Sequence, residues 1–520
     1  MPEKRLSAVQ SAGSNLEAVG GIPLGRIVAH HAARDADRPA LTIDGATWTR
    51  SELEARANRR ARALTALGVG AGDFVTVMLP NCHEHFETTY ALWKLGATPN
   101  IVSWRLPDNE LRAIIELVRP KLVVGCDPAR LPGFKTLASD FEPDPALSAD
   151  PLPERVSAYW KAMTSGGSTG RPKVIVDHMP GRWNPEISVG HLAIDGAMLM
   201  PAPLYHNAPF MMTHFALFIG NHVVQMTKFD ALQTLQLIER YRVDWLYLVP
   251  TMMHRIWRLP RVQRESFDLS SLNTVIHMGA TCPIWLKEAW IGWLGADKIF
   301  EGYGGTERQA STEITGREWL LHKGSVGKVN PGAKIRILDE RHNECAVGQI
   351  GEIFFLPEAG RNATYHYIGA EARAAGEWES IGDLGYIDAD GYLYLADRRT
   401  DLVISGGANI YPAEVEAAID AHPDVGSSVA VGLPDEDLGQ RLHAIVEIKP
   451  AARSRTGEAE LRAHLEAQIA RYKIPRSFEF VDAPLRDDAG KVRRVALREE
   501  RIVRMATDAQ SVKQSVKSSS

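Results

Sequence analysis

FVTVMLPNCHEHFETTYALWKLGATPNIVSWRLPDNELRAIIELVRPKLVVGC, residues 74–126, reads as strand, helix, strand, helix, strand. Residues 74–79 are a short, largely apolar run that suits a buried strand, and residues 83–95 carry apolar side chains at helical spacing. Residues 98–103 make the second strand, Asp108 is placed to cap a helix running to residue 117, and residues 121–126 make the third strand. A βαβαβ order requires parallel strands with helices on both faces of the sheet.

The reading extends outward from there. Upstream, residues 40–43 and Trp48 flank Asp44-Gly45, a hairpin-turn dipeptide. Thr49-Arg50-Ser51-Glu52 has the spacing of a capping box, ahead of a helix to about residue 67. Downstream, residues 127–155 are rich in Pro and Asp and read as a linking stretch. A second α/β run follows, with a helix over 230–241 and strands over 244–249, 274–278 and 298–301. From 324 to about 395, short strands at 334–338, 352–356 and 391–395 alternate with Gly/Pro turns, which suggests a β subdomain. The charged run Asp397-Arg398-Arg399-Thr400-Asp401 breaks the pattern. After it come helices over 412–421 and 458–470 and strands over 428–432, 442–448 and 477–481. The expected fold class is therefore α/β: a large N-terminal body of two doubly wound α/β subdomains plus a small β subdomain, with a mobile α+β C-terminal lid domain. The expected boundaries are 1–396 for the body, 397–402 for a hinge and 403–503 for the lid. Residues 504–520 lack an apolar face and are expected to be a disordered tail.

Composition narrows the function. The 520 residues are 45% hydrophobic and 24% charged, an ordinary globular balance. With 59 Lys plus Arg against 64 Asp plus Glu, the net charge of −5 offers no basic excess to grip nucleic acid phosphates. Four cysteines, at 82, 126, 282 and 345, form neither a disulfide framework nor a CxxC zinc cage, so a reduced cytoplasm is the expected compartment. Cys82-His83-x-His85 lacks a fourth ligand and is not read as a metal site. No run approaches 18 uninterrupted apolar residues, so no membrane span is expected, and the N-terminus shows no apolar h-region of a secretory signal.

The chemistry begins at Thr164-Ser165-Gly166-Gly167-Ser168-Thr169-Gly170-Arg171-Pro172-Lys173. Three glycines let the backbone turn its N–H groups toward an anion, four hydroxyls add donors, and Lys173 adds positive charge, all of which suit a polyphosphate. A Walker A loop needs Gly-Lys-Ser/Thr, and Gly170 is followed by Arg171-Pro172 instead. Gly166-x-Ser168-x-Gly170 matches a hydrolase nucleophile elbow, but an elbow must open a helix, and Pro172 followed by Val174-Ile175-Val176 reads as strand. The bland alternative is a flexible Gly/Ser loop. Four further segments bear on the choice. Gly302-Tyr303-Gly304-Gly305-Thr306-Glu307 combines a stacking ring with a carboxylate able to hold Mg²⁺. Gly382-Asp383-Leu384-Gly385-Tyr386 offers a carboxylate for ribose hydroxyls, Ser405-Gly406-Gly407-Ala408-Asn409-Ile410-Tyr411-Pro412 is a second Gly-rich turn, and Gly490-Lys491 lies on a polar loop.

Five motifs in this order resemble the adenylate-forming superfamily of acyl-CoA synthetases, peptide-synthetase adenylation domains and luciferases, over residues 25 to 500. Several segments look closest to bacterial bile-acid or steroid-acid CoA ligases: Leu204-Tyr205-His206-Asn207-Ala208-Pro209, Val249-Pro250-Thr251-Met252-Met253, residues 397–401, residues 433–439, and Tyr472-Lys473-Ile474-Pro475. The resemblance implies an ATP-dependent acid–thiol ligase that forms an acyl-adenylate and then a coenzyme A thioester, with ATP, Mg²⁺ and coenzyme A as cofactors and a small-molecule carboxylic acid as partner. The alternative within the superfamily is an amide bond synthetase that passes the adenylate to an amine. A homodimer is compatible with either.

Residue roles follow from the same resemblance. Thr164, Ser165, Gly166, Thr169 and Lys173 hold the phosphates; Tyr303 and Gly304 flank the adenine, Thr306 meets the α-phosphate and Glu307 binds Mg²⁺. Asp383 takes the ribose hydroxyls with Arg398 beside it, Lys491 bridges carboxylate and α-phosphate, and Thr400 falls at the hinge. His206 is the gate beside the acyl carboxylate, and Phe210, Met212, Met252, Gly279 and Ala280 are candidate walls of the acyl pocket. Gly406, Gly407, Arg471 and Lys473 belong to the coenzyme A side of the lid. Four departures from the family pattern stand out: Gly167 in place of a hydroxyl residue, Val174 in place of Gly, Thr400 in place of Lys or Asp, and the acidic Arg486-Asp487-Asp488-Ala489-Gly490 before Lys491.

Overall fold

The computed structural model of the chain describes residues 21–165, 172–406, 408–487 and 490–518. It divides into two compact units, the first spanning Met1–Gly279, Glu288–Arg336 and Phe354–Ile381, the second Ala280–Lys287, Ile337–Ile353 and Gly382–Ser520.

The first unit is built around two large sheets, beside a short pair of Ile22–Pro23 with Arg182–Trp183. In one, Phe74–Val77 is central, with Thr98–Ile101 on one side and Leu122–Val124 on the other, all parallel. His83–Leu95 makes the first connection and Asp108–Val118 the second. The chain steps one strand one way and two strands back, so right-handed crossovers place the two helices on opposite faces. His83–Leu95 is buried nearly all round, whereas Asp108–Val118 buries one stripe, Leu111, Ile114, Ile115 and Val118. Asp108 is not the cap of its helix: Pro107 holds that position, and the Asp108 carboxylate accepts from Arg130 Nε at 2.7 Å. Residues 127–155 are not a free linker either. Thr136–Leu137 adds a parallel strand beside Leu122–Val124, and Asn58 and Arg59 donate to the carbonyls of Ala149 and Leu147. On the far side of Thr98–Ile101 the sheet continues with Ala162–Ser165, then antiparallel Lys173–Asp177 and Tyr365–Ile368.

The other sheet runs Thr274–His277, Trp245–Leu248, Ala197–Met200, His222–Gln225 and Pro39–Ile43, all parallel. Trp245, Leu246, Tyr247 and Leu248 are all buried, as strands covered on both faces require. Ile299–Gly304 extends this sheet in parallel, and Ser311–Thr315 and Ser325–Val329 follow antiparallel. At the opposite edge Ala46–Thr49 completes the hairpin, with Asp44 and Gly45 at φ 48° and 82° as a primed turn needs. The capping box forms as read: Thr49 Oγ1 accepts from Glu52 N at 3.2 Å and Thr49 N donates to Glu52 Oε2 at 2.7 Å.

In the second unit, Asp383–Ile387 and Leu393–Arg398 form an antiparallel pair. Beyond them lies a sheet ordered Ala408–Ile410, Val403–Ser405, Gly439–Ile448, Val425–Asp435, with Ser477–Val481 parallel to Gly439–Ile448. The long hairpin alternates faces with period two. Ala430, Leu442, Ala444 and Val446 pack with Val415 and Ile419 of Pro412–Asp420 and with Leu461 and Leu465 of Glu458–Glu466. Val429, Val431, Leu433 and Ile445 face Leu497 and Ile502 of the last helix. That helix runs Arg494–Ser518 and takes in most of the stretch expected to be disordered, which continues a helix whose first turns are packed on the sheet. Among the described residues, no helix is long and apolar enough to cross a membrane.

Candidate active site

The phosphate-loop candidate joins two antiparallel strands, with Thr164 opposite Val174 and Ser165 opposite Lys173. A strand follows the loop, so the nucleophile-elbow alternative fails on geometry. Gly166, Gly167, Ser168, Thr169 and Gly170 lie outside the described residues, as does the Ser165 side chain. Thr164 Oγ1 is shielded from water and has no hydrogen-bond partner among the described residues, which leaves a hydroxyl ready for an anion.

Glu307 sits beside this hairpin, on the turn that leaves Ile299–Gly304. Its carboxylate is 5% exposed, and its two oxygens differ. Oε1 accepts from Tyr367 Oη at 2.6 Å and lies 3.4 Å from Lys173 Nζ. The Lys173 ammonium also stands 3.9 Å from the centre of the Tyr367 ring. Oε2 has no hydrogen-bond partner among the described residues and borders Gly305, where a Cβ would come within 2.8 Å of it. Burial first, then the neighbouring Glu307 charge, push the Tyr367 phenol far up, so it stays a donor.

The turn is clamped from three sides. Thr364 Oγ1 donates to Glu307 O at 2.8 Å. Gln309 Nε2 donates to Glu379 Oε2 at 2.9 Å and to Tyr365 Oη at 3.2 Å. Arg308, at φ 54°, donates from Nη1 to Asp177 Oδ1 at 2.8 Å, while the fully buried Lys161 Nζ lies 2.9 Å from Asp177 Oδ2. Burial opposes the Asp177 charge, but Arg308 and Lys161 together hold its carboxyl well below the usual range; burial lowers Lys161. Asp177 ends the strand that Lys173 begins, so this buried trio ties the Glu307 turn to the loop-bearing hairpin. Tyr303 lies on the same strand end, half-buried, its ring 6.4 Å from Phe355, and Thr306 is half-buried on the turn. A hard, oxygen-donating carboxylate with one open oxygen beside a lysine fits the holding of a divalent cation.

The candidate acyl-pocket residues separate. His206 is the half-buried cap residue of Asn207–Phe218, its ring 4.5 Å from Tyr205. Phe210, Met212 and Met252 are at 0%, 4% and 2% exposure. Phe210 lies against His214 with ring centres 4.1 Å apart and planes tilted by 35°, and a Cβ on Gly190 would meet Met212 Cε at 2.6 Å. Gly279, at φ 86°, has ordinary room: a Cβ there would stand 3.8 Å from the Tyr247 hydroxyl. Ala280 belongs to the second unit.

That unit also holds Asp383, buried and in register with Arg398, whose side chain lies outside the described residues. Thr400 is exposed and donates to Asp401 Oδ1 at 3.3 Å. Gly406 has φ 57°, and Gly407 lies outside the described residues. Lys473 is not part of an open basic patch: its Nζ donates to both oxygens of Glu414, at 2.6 and 2.7 Å, leaving Arg471 exposed beside it. Lys491 is exposed on a turn closed by Lys491 N donating to Asp487 Oδ1 at 2.9 Å, with Gly490 at φ 74°.

Tyr367, Arg308, Asp177 and Tyr247 carry no motif of their own and were not legible as site residues. A faint signal existed in Tyr365-His366-Tyr367, whose alternation on a strand puts both tyrosines on one face.

A Gly/Ser/Thr loop sequence between two strands, with a lysine and a half-open carboxylate at its base, is a combination whose chemistry suits nucleotide phosphates. Comparison with known proteins names the group. The AMP-binding enzyme family matches residues 28–357, and the AMP-binding enzyme C-terminal domain matches residues 414–491. The chain is 33% identical over 476 residues to a feruloyl-CoA synthase of Amycolatopsis sp, covering 87% of this chain and 94% of that one. It is 29% identical over 489 residues to the long-chain-fatty-acid–CoA ligase FadD13 of Mycobacterium tuberculosis, covering 87% and 93%. The crystal structure of ATP-bound MatB from Rhodopseudomonas palustris superposes with a TM-score of 0.75 at 25% identity, covering 92% and 99%. The chain belongs to the AMP-binding enzyme family.

Proposed function

We propose that the chain is an AMP-forming acyl-CoA synthetase acting in the cytoplasm on a bulky hydrophobic acid, aromatic or steroid-like. The observation that carries this is the Lys173–Glu307 pair at the base of the loop-bearing hairpin, in a chain whose relatives bear CoA-ligase names. A carboxylate oxygen of the acid attacks the α-phosphorus of ATP, the bond to the β-phosphate breaks, and pyrophosphate leaves. The coenzyme A thiol then attacks the acyl carbon, loses its proton, and AMP leaves. Both reactants in the first step are anions, so fixed positive charge and hydrogen-bond donors dominate its catalysis.

Lys173 and the Thr164 hydroxyl bind β- and γ-phosphate oxygens, Tyr303 and Gly304 flank the base, and Thr306 donates to the α-phosphate. Glu307 would hold Mg²⁺, whose charge would help to neutralise the phosphates. Asp383 and Arg398 take the ribose, and Lys491 is the cation assigned to the reacting carboxylate and α-phosphate. Thr400 is the hinge of the lid, and Gly406, Gly407 and Arg471 serve thioester formation. His206 gates the acyl carboxylate, and Gly279 with the adaptable Met212 and Met252 is assigned to a pocket for a ring system. The feruloyl-CoA synthase among the relatives favours an aromatic acid.

ATP–pyrophosphate exchange with a panel of aromatic, polycyclic and long-chain acids tests the first step. Exchange with at least one is expected; folded protein that exchanges with none in the presence of Mg²⁺ overturns the reading. Product masses with coenzyme A and amines in competition test the second step, where an amide as sole product would replace the ligase with an amide bond synthetase.

A further inference from the structure

We infer that Tyr367 is a positioning residue of the nucleotide site: its hydroxyl selects which oxygen of Glu307 meets the divalent cation and keeps Lys173 from neutralising that carboxylate. The inference rests on the reading of Glu307 as the cation's protein ligand.

Three distances carry it. The Tyr367 hydroxyl is the near partner of Oε1, at 2.6 Å, and the Lys173 ammonium is the far one, at 3.4 Å. A charge-assisted N–H···O bond is normally about 2.7–2.9 Å, so the lysine stands off from a full ion pair. Its charge is instead shared with the face of the Tyr367 ring, 3.9 Å away. One side chain thus holds both the acid and the phosphate-loop lysine. It also leaves Oε2 as the oxygen with no partner among the described residues, on the Gly305 side, where only a glycine leaves it room. A hydrogen bond from outside to the bound oxygen of a metal-holding carboxylate orients the other oxygen toward the cation.

The contact is not needed to hold the turn. Thr364 Oγ1 already takes the Glu307 carbonyl, and Arg308 and Gln309 anchor the residues that follow. What Tyr367 adds is the orientation of the carboxylate. It does so from the Tyr365–Ile368 strand, in register opposite Ile175 on the strand that begins at Lys173. Removing the hydroxyl while keeping the ring frees Oε1 for Lys173. The ammonium then closes the remaining gap, and a cation must break that pair before it can bind.

The test uses the full chain and no acid substrate, so nothing turns over. ATP binding is measured by calorimetry while Mg²⁺ is titrated, and AMP binding without metal serves as the reference. For Tyr367→Phe, half-maximal ATP binding should need about tenfold more Mg²⁺, with AMP affinity unchanged. Glu307→Gln is run alongside. If Glu307→Gln raises the Mg²⁺ requirement and Tyr367→Phe does not, the positioning role is overturned and the ligand reading stands. If Glu307→Gln also leaves it unchanged, both fall. A crystal of the unaltered protein with ATP and Mn²⁺ decides without any variant. Tyr367 Oη on Glu307 Oε1 with Oε2 on the metal upholds the inference, and a tyrosine turned away from the carboxylate overturns it.

Discussion

Glu307 has one committed oxygen and one open one, and the neighbouring residue 305 decides whether the open one stays usable. An alanine Cβ at 305 would lie 2.8 Å from Oε2 and 3.1 Å from Ile381 Cδ1, so the carboxylate must swing or the turn must shift. At Gly302 the clash of a Cβ would be with Met278 Cε at 3.1 Å, the end of a flexible side chain that can move. Gly305→Ala should therefore lower kcat about 10- to 100-fold, while Gly302→Ala stays within a few-fold, because small misplacements of a reacting group cost that much. Steady-state kinetics beside thermal melting separates the two; equal losses in both variants would count against the carboxylate argument. The same residues show what a sequence can and cannot reveal. Glu307 and Lys173 were legible because each sits in a motif with fixed spacing. Tyr367 was not, because its partnership spans 60 residues of chain and depends on an antiparallel register that no local pattern encodes.

Among elements, the helices His83–Leu95 and Asn207–Phe218 bury histidines that the fold keeps neutral. His214 is fully buried, ringed by Phe210, Trp93, Phe86 and Tyr90, and donates from Nδ1 to Phe210 O at 2.7 Å. Burial depresses its pKa to about 4 and that of His85 to about 3. The unfolded chain takes up these protons below about pH 6.5, whereas the folded one does not until the depressed values are reached. Stability is thus complete above about pH 6.5 and is lost as pH falls toward 4, each histidine contributing on the order of 3 kcal/mol across that window. Calorimetric midpoints should drop steadily between pH 6.5 and 4.5, and His214→Leu should flatten the slope; a midpoint constant across that range would refute the account. At the start of Arg50–Ala66, Thr49→Ala removes one capping-box bond and should cost about 1 kcal/mol, lowering the melting midpoint by about 1 °C. That box was readable from Thr-x-x-Glu. An equal box forms at Thr315 and Glu318, on a helix of six residues too short to show an apolar period in the sequence. The Pro39–Thr49 hairpin was legible as a hairpin, but not as a neighbour of His222–Gln225, since its sheet is assembled from strands more than 170 residues apart in the chain.

For the whole molecule, the residues proposed for the reaction fall in two compact units, and the role proposed for Lys491 makes a kinetic prediction. Lys173, Thr306 and Glu307 belong to the first unit; Asp383, Thr400 and Lys491 to the second. Lys491 is exposed, on a turn closed by its backbone contacts to Asp487. Its proposed task is to meet two anions at the adenylation step. Thioester formation from a ready-made adenylate brings a thiol to an uncharged acyl carbon and has no such need. Lys491→Ala should therefore reduce acid-dependent pyrophosphate exchange by about 100-fold or more, the scale expected when one preorganised charge is removed from a transition state. Coenzyme A thioester formation from supplied acyl-adenylate should stay within a few-fold of the unaltered enzyme, and ATP binding without acid should change little. Measuring both half-reactions on one preparation is the check. Parallel losses in the two would mean that residue 491 supports the fold of the second unit rather than one chemical step, and unchanged exchange would remove Lys491 from the reaction altogether.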